Sequence, residues 1–366
     1  MTPRGGFEVA HVCKEYVVGI KSSLCPTTTS GSYRYNTFVE VLRGGYGLFP
    51  VHRLDKVTSG LVVVGRSSVA SAVLSAEIRE GNVDKYYLAK VKGRFDLGKR
   101  GGGEEDGVFV EVVKEDGEGN VTKDDRELKV PEIGSDFMEV FKNGFKGNIS
   151  MIRLTTNIDC LDVKSGVYVA GGTSLNSSAK QAGWPKVSTT LFGLVTYDKT
   201  TGESVVICKP ETGRTHQIRV QLEYLGYRCL GDECYGGGEV PAASEGGVLK
   251  GSEKGGGGGE GRSYLDSVGE DEVEACGGGE GGDGGGDGGG GGGGGEDDST
   301  IEGLTALVRA TCVFCRRGLN DEKKAVEGYE SHTKGICLHA WRFRAKGVGL
   351  DVTSELPHWA MTPGGP

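Results

Sequence analysis

Two short stretches hold the side chains able to do chemistry. The first, FPVHRLDKVTSGLVVVGRS, covers 49–67 and sets one carboxylate, Asp55, two residues from one guanidinium, Arg53. The turn that follows is rich in Thr, Ser and Gly, and the apolar run 61–64 reads as a buried strand. An acid on a polar loop braced by a packed strand has its geometry set by rigid neighbours, which suits chemistry. Taken alone, Asp55 would be a turn cap and Arg53 a surface partner. The second stretch, KPETGRTHQIRVQLEYLGYRCLGDECYG, covers 209–236. Thr212 to His216 forms a turn opening a helix at 217–225, with Arg214, His216 and Gln217 near its N-terminus and Ile218, Leu222 and Leu225 on its apolar face. A helix N-terminus offers free N–H groups and partial positive charge, so Arg and His placed there suit a phosphate or carboxylate. Taken alone, this stretch would be a capped helix with a solvated first turn; beside a separate carboxylate loop, and because a buried Asp needs a cation to stay ionised, an Asp55–Arg214 pair is the sharper expectation.

The elements that must position these groups follow from the hydrophobic pattern. Residues 7–20 alternate as a strand, and 36–37 caps a short helix at 38–42. An amphipathic helix spans 69–79, with Val69, Val73, Leu74 and Ile78 on one face. Residues 83–95 alternate as a strand, with Tyr87, Ala89 and Val91 on one side. The composition then turns to Gly, Glu, Asp and Lys over 96–129, a solvated insertion in a hairpin or loop, and 137–183 carries no clear motif. Two antiparallel strands joined at 198–202 lead to Pro210. From 237 to about 300 the chain is of low complexity, with a near-pure glycine run at 277–295, which reads as disordered. A strand, a turn at 347–349 and a short strand close the pattern. The expected organisation is a catalytic domain over 1–236 with a polar insertion at 96–183, a disordered insertion at 237–303, and the rest of the catalytic domain at 304–366.

The net charge of −9 is local in origin. Residues 243–300 hold 14 Asp and Glu against 3 Lys and Arg, which leaves the remainder near neutral with basic runs. The acidity therefore does not exclude a nucleic-acid partner. No secretory signal and no apolar run long enough to cross a membrane is visible, and Glu8 and Glu15 interrupt the basic bias of a transit peptide. Ten scattered cysteines read as reduced thiols. The expectation is an intracellular protein, in the cytoplasm first, with mitochondrion, plastid and nucleus left open. Cys312 and Cys315 form half of a zinc site, which Cys337 or His332 could complete; two reduced cysteines are the favoured reading.

The chain resembles the RluA-type pseudouridine synthases. The resemblance rests on VHRLDKVTSGL at 51–61, KYYLAKVKG at 85–93, CKPETGRTHQIRVQLEYLG at 208–226, GDECYGG at 231–237 and LHAWRF at 338–343, in the family's order. Within the family it is most similar to eukaryotic members acting on the tRNA anticodon stem-loop. That similarity is carried by SGSYRYNT at 30–37, the CxxC pair and LPHWA at 356–360.

The resemblance implies an α+β pseudouridine synthase fold: a mixed, largely antiparallel sheet with flanking helices and a central catalytic cleft. It implies uridine-to-pseudouridine isomerisation in RNA without cofactor or metal. Asp55 matches the catalytic acid, as C1′ nucleophile or as base at the 2′ position. Arg214 matches its paired arginine, and Tyr87 matches the tyrosine that stacks on the flipped base. Arg53 is expected at a phosphate or in the space the flipped nucleotide leaves. Ile218 is expected to line the uracil pocket, and His216, Gln217 and Arg219 are expected at RNA or in structural contacts. Two departures stand out. Lys21 keeps the family's lysine but Ser22 replaces its proline, and Gln221 replaces a histidine. Neither a preceding S4-like domain nor a following deaminase extension is visible, and the insertions are expected to project as loops. The rivals are the same chemistry on ribosomal or organellar RNA, and a silent RNA-binding protein of this fold. Asp55, Tyr87 and Arg214 together disfavour the second. A hydrolase using Asp55 with His216 lacks an oxyanion-hole signature and a nucleophile elbow.

Overall fold

The structure, a computed structural model, describes residues 8–29, 37–43, 47–96, 108–116, 118–123, 149–162, 166–171, 183–235 and 335–361. The elements run β1 (Glu8–Val12), β2 (Tyr16–Lys21), α1 (Phe38–Arg43), β3 (Phe49–Pro50), β4 (Ser59–Gly65), α2 (Ser68–Glu80), β5 (Val83–Lys92), β6 (Phe109–Glu115), β7 (Val121–Lys123), β8 (Ile149–Asp162), β9 (Val167–Ala170), β10 (Lys186–Asp198), β11 (Glu203–Pro210), α3 (Gln217–Tyr224), β12 (Leu338–Ala345) and β13 (Leu350–Thr353). All thirteen strands join one sheet, whose main path is β1-β2-β4-β12-β5-β11-β10-β8-β6-β7. The pairings are antiparallel except that of β12 with β4. The mixed, largely antiparallel sheet with flanking helices is the α+β pseudouridine synthase fold.

β12, from late in the chain, lies between β4 and β5 and so joins the strand after Asp55 to the strand bearing Tyr87. Contact with β4 is close at Gly60, whose φ is +113° and whose missing Cβ leaves room for the Ala340 backbone. On one side of this seam Leu54, Val62 and Ala340 share a core cluster with α1. On the other, Ala89 and Val91 of β5 pack with Ile218 and Leu222 of α3. Tyr87 touches both clusters, which places it at the bottom of the cleft between them.

Three expectations change. The alternation over 7–20 conceals a hairpin, β1–β2, closed by the Cys13 N–H donating to the Tyr16 carbonyl. In α2 the buried face is Ala70, Ser71 and Leu74, while Val69 and Val73 are 71% and 46% exposed. The helix lies so near β4 at Gly65 that a Cβ there would stand 2.7 Å from the Ser71 nitrogen, and the small Ser71 stands at that close approach. The described residues within 96–183 do not project as loops. β6 to β9 extend the sheet, and β8 buries Met151, Ile152, Leu154, Ile158 and Cys160. Thr, Asn and Asp interleaved along β8 hid its period; Thr156 and Asp159 are themselves buried. The reading of 237–303, the SGSYRYN segment and the Cys312–Cys315 pair lie outside the described residues. Among the described residues, no helix is long and apolar enough to cross a membrane.

Candidate active site

The loop bearing Asp55 is held from both ends. Thr27 Oγ1 accepts from the Leu54 N–H at 3.0 Å and donates to the Leu54 carbonyl at 2.9 Å. Lys21, fully buried, donates to the carbonyls of Ser22, Cys25 and Lys56 at 3.1, 2.7 and 3.2 Å. Burial brings its ammonium down to about 8. These three bonds tie the segment that lacks the family's proline to the catalytic-loop backbone. His52 accepts from the Val63 N–H at 3.1 Å and stacks on Phe343, so the start of the loop is anchored to β4 and β12.

The loop faces a cleft of about 400 Å³. Every site residue expected from the sequence lines it: Arg53, Asp55, Tyr87, Arg214, His216, Gln217 and Ile218. The Asp55 carboxylate is not paired with Arg214. The Arg214 Nε instead donates to the Val187 carbonyl at 3.2 Å, on the exposed rim. The cation at Asp55 is Arg219, one helical turn further on, with Nη1 at 3.3 Å from Oδ2. The reason is helical geometry. Arg214 precedes α3, in the turn, whereas Arg219 projects from the first turn of α3 with its side chain 5% exposed. Its fork is gripped from behind by Asp232, with Nε to Oδ2 at 2.7 Å and Nη2 to Oδ1 at 2.8 Å. The Tyr235 ring lies under the guanidinium at 4.9 Å. Asp232 and Tyr235 come from the GDECYG stretch, whose motif was visible in the sequence but whose role was not.

Burial pushes the Asp55 carboxyl up, and His216, Arg219 and Arg53 together outweigh it and hold the acid below its ordinary value. Burial lowers His216, despite the opposing charge of Asp55, so its imidazole is neutral at neutral pH. Arg219 is then the close cation that keeps Asp55 ionised. Both Arg219 and His216 face Oδ2, the latter from 3.9 Å, and Oδ1 has no polar partner among the described residues. One oxygen of the carboxylate is anchored and the other is free. Tyr87 is pushed up, by burial first and then by the charge of Asp55, so its phenol stays protonated close to the acid.

Of the two roles expected for Gln217, at RNA or in structural contacts, the hydrogen bonds show the structural one. Its Oε1 accepts from Thr212 Oγ1 at 2.8 Å and from the Arg214 N–H at 2.9 Å, and its Nε2 donates to the Thr189 carbonyl and to Thr190 Oγ1. All four hydrogen-bonding positions are used within the protein, so Gln217 braces the 212–214 turn against β10. Gln221, where the family has histidine, is likewise satisfied by Thr190, Thr156 and Ser188. Ile218 is 7% exposed and shared between core and cleft. Lys85, which opens the KYYLAKVKG motif, also lines the cleft, as do Tyr168, Trp184 and Lys186, which no sequence motif had marked.

A half-buried carboxylate held ionised by an arginine, lining a cation-rimmed cleft together with a tyrosine, can attack, or take a proton from, an anionic substrate. The chain belongs to the RNA pseudouridylate synthase family, whose pattern it matches over residues 12–224. It is 29% identical over 231 residues to tRNA pseudouridine(31) synthase of Saccharomyces cerevisiae, covering 63% of this chain and 46% of that one. It is 29% identical to the mitochondrial tRNA pseudouridine(32) synthase of the same yeast, covering 60% and 35%. Against RNA pseudouridine synthase 7 of Oryza sativa subsp. japonica it is 30% identical, covering 62% and 42%. The chain thus spans less than half the length of these curated relatives.

Proposed function

We propose that this chain is an RNA pseudouridine synthase that isomerises uridine within a tRNA anticodon stem-loop. The observation that carries the reading is the carboxylate of Asp55 in the cleft wall, with Oδ2 set against Arg219 and Oδ1 without a polar partner among the described residues. The reaction conserves atoms: the N1–C1′ bond breaks, the C5–C1′ bond forms, C5 loses its hydrogen and N1 ends protonated. Oδ1 can serve either as nucleophile at C1′ or as base at the 2′ carbon, and both roles need the ionised acid that Arg219 maintains. Tyr87 supplies a flat floor for a base taken out of its stack. Arg53, Lys85, Lys186 and Arg214 along the cleft suit the phosphates on either side of the flipped nucleotide.

The tRNA substrate is supported by relatives whose names specify tRNA positions 31 and 32. The absence of cofactor follows from the chemistry, which is redox-neutral and needs no external group. An intracellular, RNA-containing compartment goes with the substrate. Pseudouridine mapping of bulk tRNA and rRNA after incubation with wild type and with Asp55→Ala tests the reading. A new anticodon stem-loop site made only by wild type is expected. A site confined to rRNA would overturn the substrate, and a site made equally by Asp55→Ala would overturn the catalytic role.

A further inference from the structure

His216 is one of only two non-glycine residues with positive φ among the described residues, at +54°. That backbone sets its ring into the cleft wall ahead of α3, with no side-chain capping bond to the helix. The ring is held edge-on between Tyr168 and Tyr235, at centroid distances of 5.4 and 5.7 Å. Its Nδ1 lies 2.8 Å from the Tyr235 hydroxyl, and its Nε2 points at Asp55 Oδ2 from 3.9 Å. What the imidazole does to the carboxylate depends on which nitrogen carries the hydrogen. With the hydrogen on Nε2, the ring presents a donor to Oδ2. With it on Nδ1, a lone pair faces an anion, which is repulsive.

The surroundings of Tyr235 decide between these states. Its hydroxyl oxygen already accepts from the Tyr168 N–H at 3.2 Å. Its single hydrogen can go to His216 Nδ1 or toward the neighbouring Cys234 thiol. A protonated thiol is a weak acceptor and an imidazole nitrogen a good one, so the hydrogen goes to Nδ1. The Cys234 thiol lies above its ordinary value, raised by partial desolvation, so a thiolate does not compete.

We propose that Tyr235 is a positioning residue that acts through His216: its hydroxyl locks the neutral imidazole with hydrogen on Nε2, aimed at Asp55 Oδ2. Arg219 and His216 then steer the same oxygen, which leaves Oδ1 for the sugar. At 3.9 Å the contact is longer than a hydrogen bond, and the lock requires it to shorten as the reaction proceeds. The proposal rests on the pseudouridine synthase reading for its effect on rate, but not for the tautomer itself.

The test is Tyr235→Phe, which keeps the ring under Arg219 and removes only the hydroxyl. Ring ¹⁵N spectra of the full chain at neutral pH, with His216→Gln assigning the resonance, report the tautomer with no substrate present. Wild type is expected to show His216 with hydrogen on Nε2, and Tyr235→Phe a mixture or the opposite form. On a stem-loop RNA, Tyr235→Phe should lower kcat about tenfold with KM unchanged, the scale of one net hydrogen bond. In the His216→Gln background the same change should add less than twofold. An Nδ1–H tautomer in wild type, or an unaltered tautomer in Tyr235→Phe, overturns the proposal whether or not any RNA is modified. A full rate loss persisting in the His216→Gln background does so as well, since Tyr235 would then act without His216. Failure to modify any RNA, with the tautomer as expected, overturns the pseudouridine synthase reading and leaves the lock standing.

Discussion

Replacing Arg219 by lysine keeps the charge but removes the fork that serves two carboxylates at once. In the structure three N–H groups of Arg219 reach Asp232 at 2.7 and 2.8 Å and Asp55 at 3.3 Å. An ammonium is a point donor and cannot grip Asp232 in bidentate fashion while reaching Asp55. Asp232 is 1% exposed, and a buried carboxylate left without its cation costs about 3–5 kcal/mol. The Asp55 side chain is 26% exposed to the cleft and can take water instead. The lysine therefore settles on Asp232, and Asp55 loses its hydrogen bond. A charge-assisted bond is worth about 1.5–3 kcal/mol, which predicts a fall in kcat of roughly 10- to 100-fold. Arg214→Lys, on the rim, should hold kcat within about threefold and act mainly on KM. Tritium at uridine C5 is released as the C5–C1′ bond forms, so single-turnover release from a labelled stem-loop reads the step directly. Full activity in Arg219→Lys, or loss of activity confined to Arg214→Lys, would refute the assignment of Arg219 to Asp55.

Two further outcomes concern the framework. Burial holds His339 at about 4, and burial together with Lys85 holds His52 at about 3. Both lie below the unfolded value near 6.5, so the unfolded chain binds more protons between these limits. Their stabilisation is complete above about pH 6.5 and is lost as pH falls toward 4. For His339, 6% exposed, the loss is on the order of 3 kcal/mol, and a Tm that does not drop between pH 7 and pH 4.5 would contradict it. Gly60→Ala sets a Cβ against the Ala340 backbone at a positive φ, so unfolding in urea should move to lower concentration by about 3 kcal/mol or more. An unshifted midpoint would mean that the β4–β12 seam tolerates separation.

What could be read from sequence divides along a physical line. Asp55 was legible because its neighbours are short-range: a turn beside a β-branched run. β5 was legible from its alternation, and β10 and β11 as largely buried runs on either side of the turn at 198–202. The face of α2 was legible only in part: Leu74 is buried as expected, while the close approach at Gly65 sets Ser71 against β4 and Val69 and Val73 face outward. β8 was missed because buried Thr156 pairs with Ser188 and Gln221, so polarity no longer marked exposure. Arg219 was named as a contact but not as the partner of Asp55. Choosing between two arginines five residues apart requires the direction of the helix, and that is set by Asp232 behind it.

The placement of β12 bears on how such a chain is made. The strand that follows Asp55 and the strand that bears Tyr87 do not meet until β12 inserts between them. The chain must pass through 236–334 before returning at Gly335. Equilibrium stability is nearly indifferent to that detour, since doubling a loop costs only about 0.6 kcal/mol. Biosynthesis is not indifferent. While the ribosome translates the intervening segment, β4 and β5 wait with unpaired edges in the middle of the sheet, each a template for another strand. The cleft is therefore completed by late-made sequence, and a nascent chain carrying every residue that faces Asp55 still lacks the strand that joins the two walls.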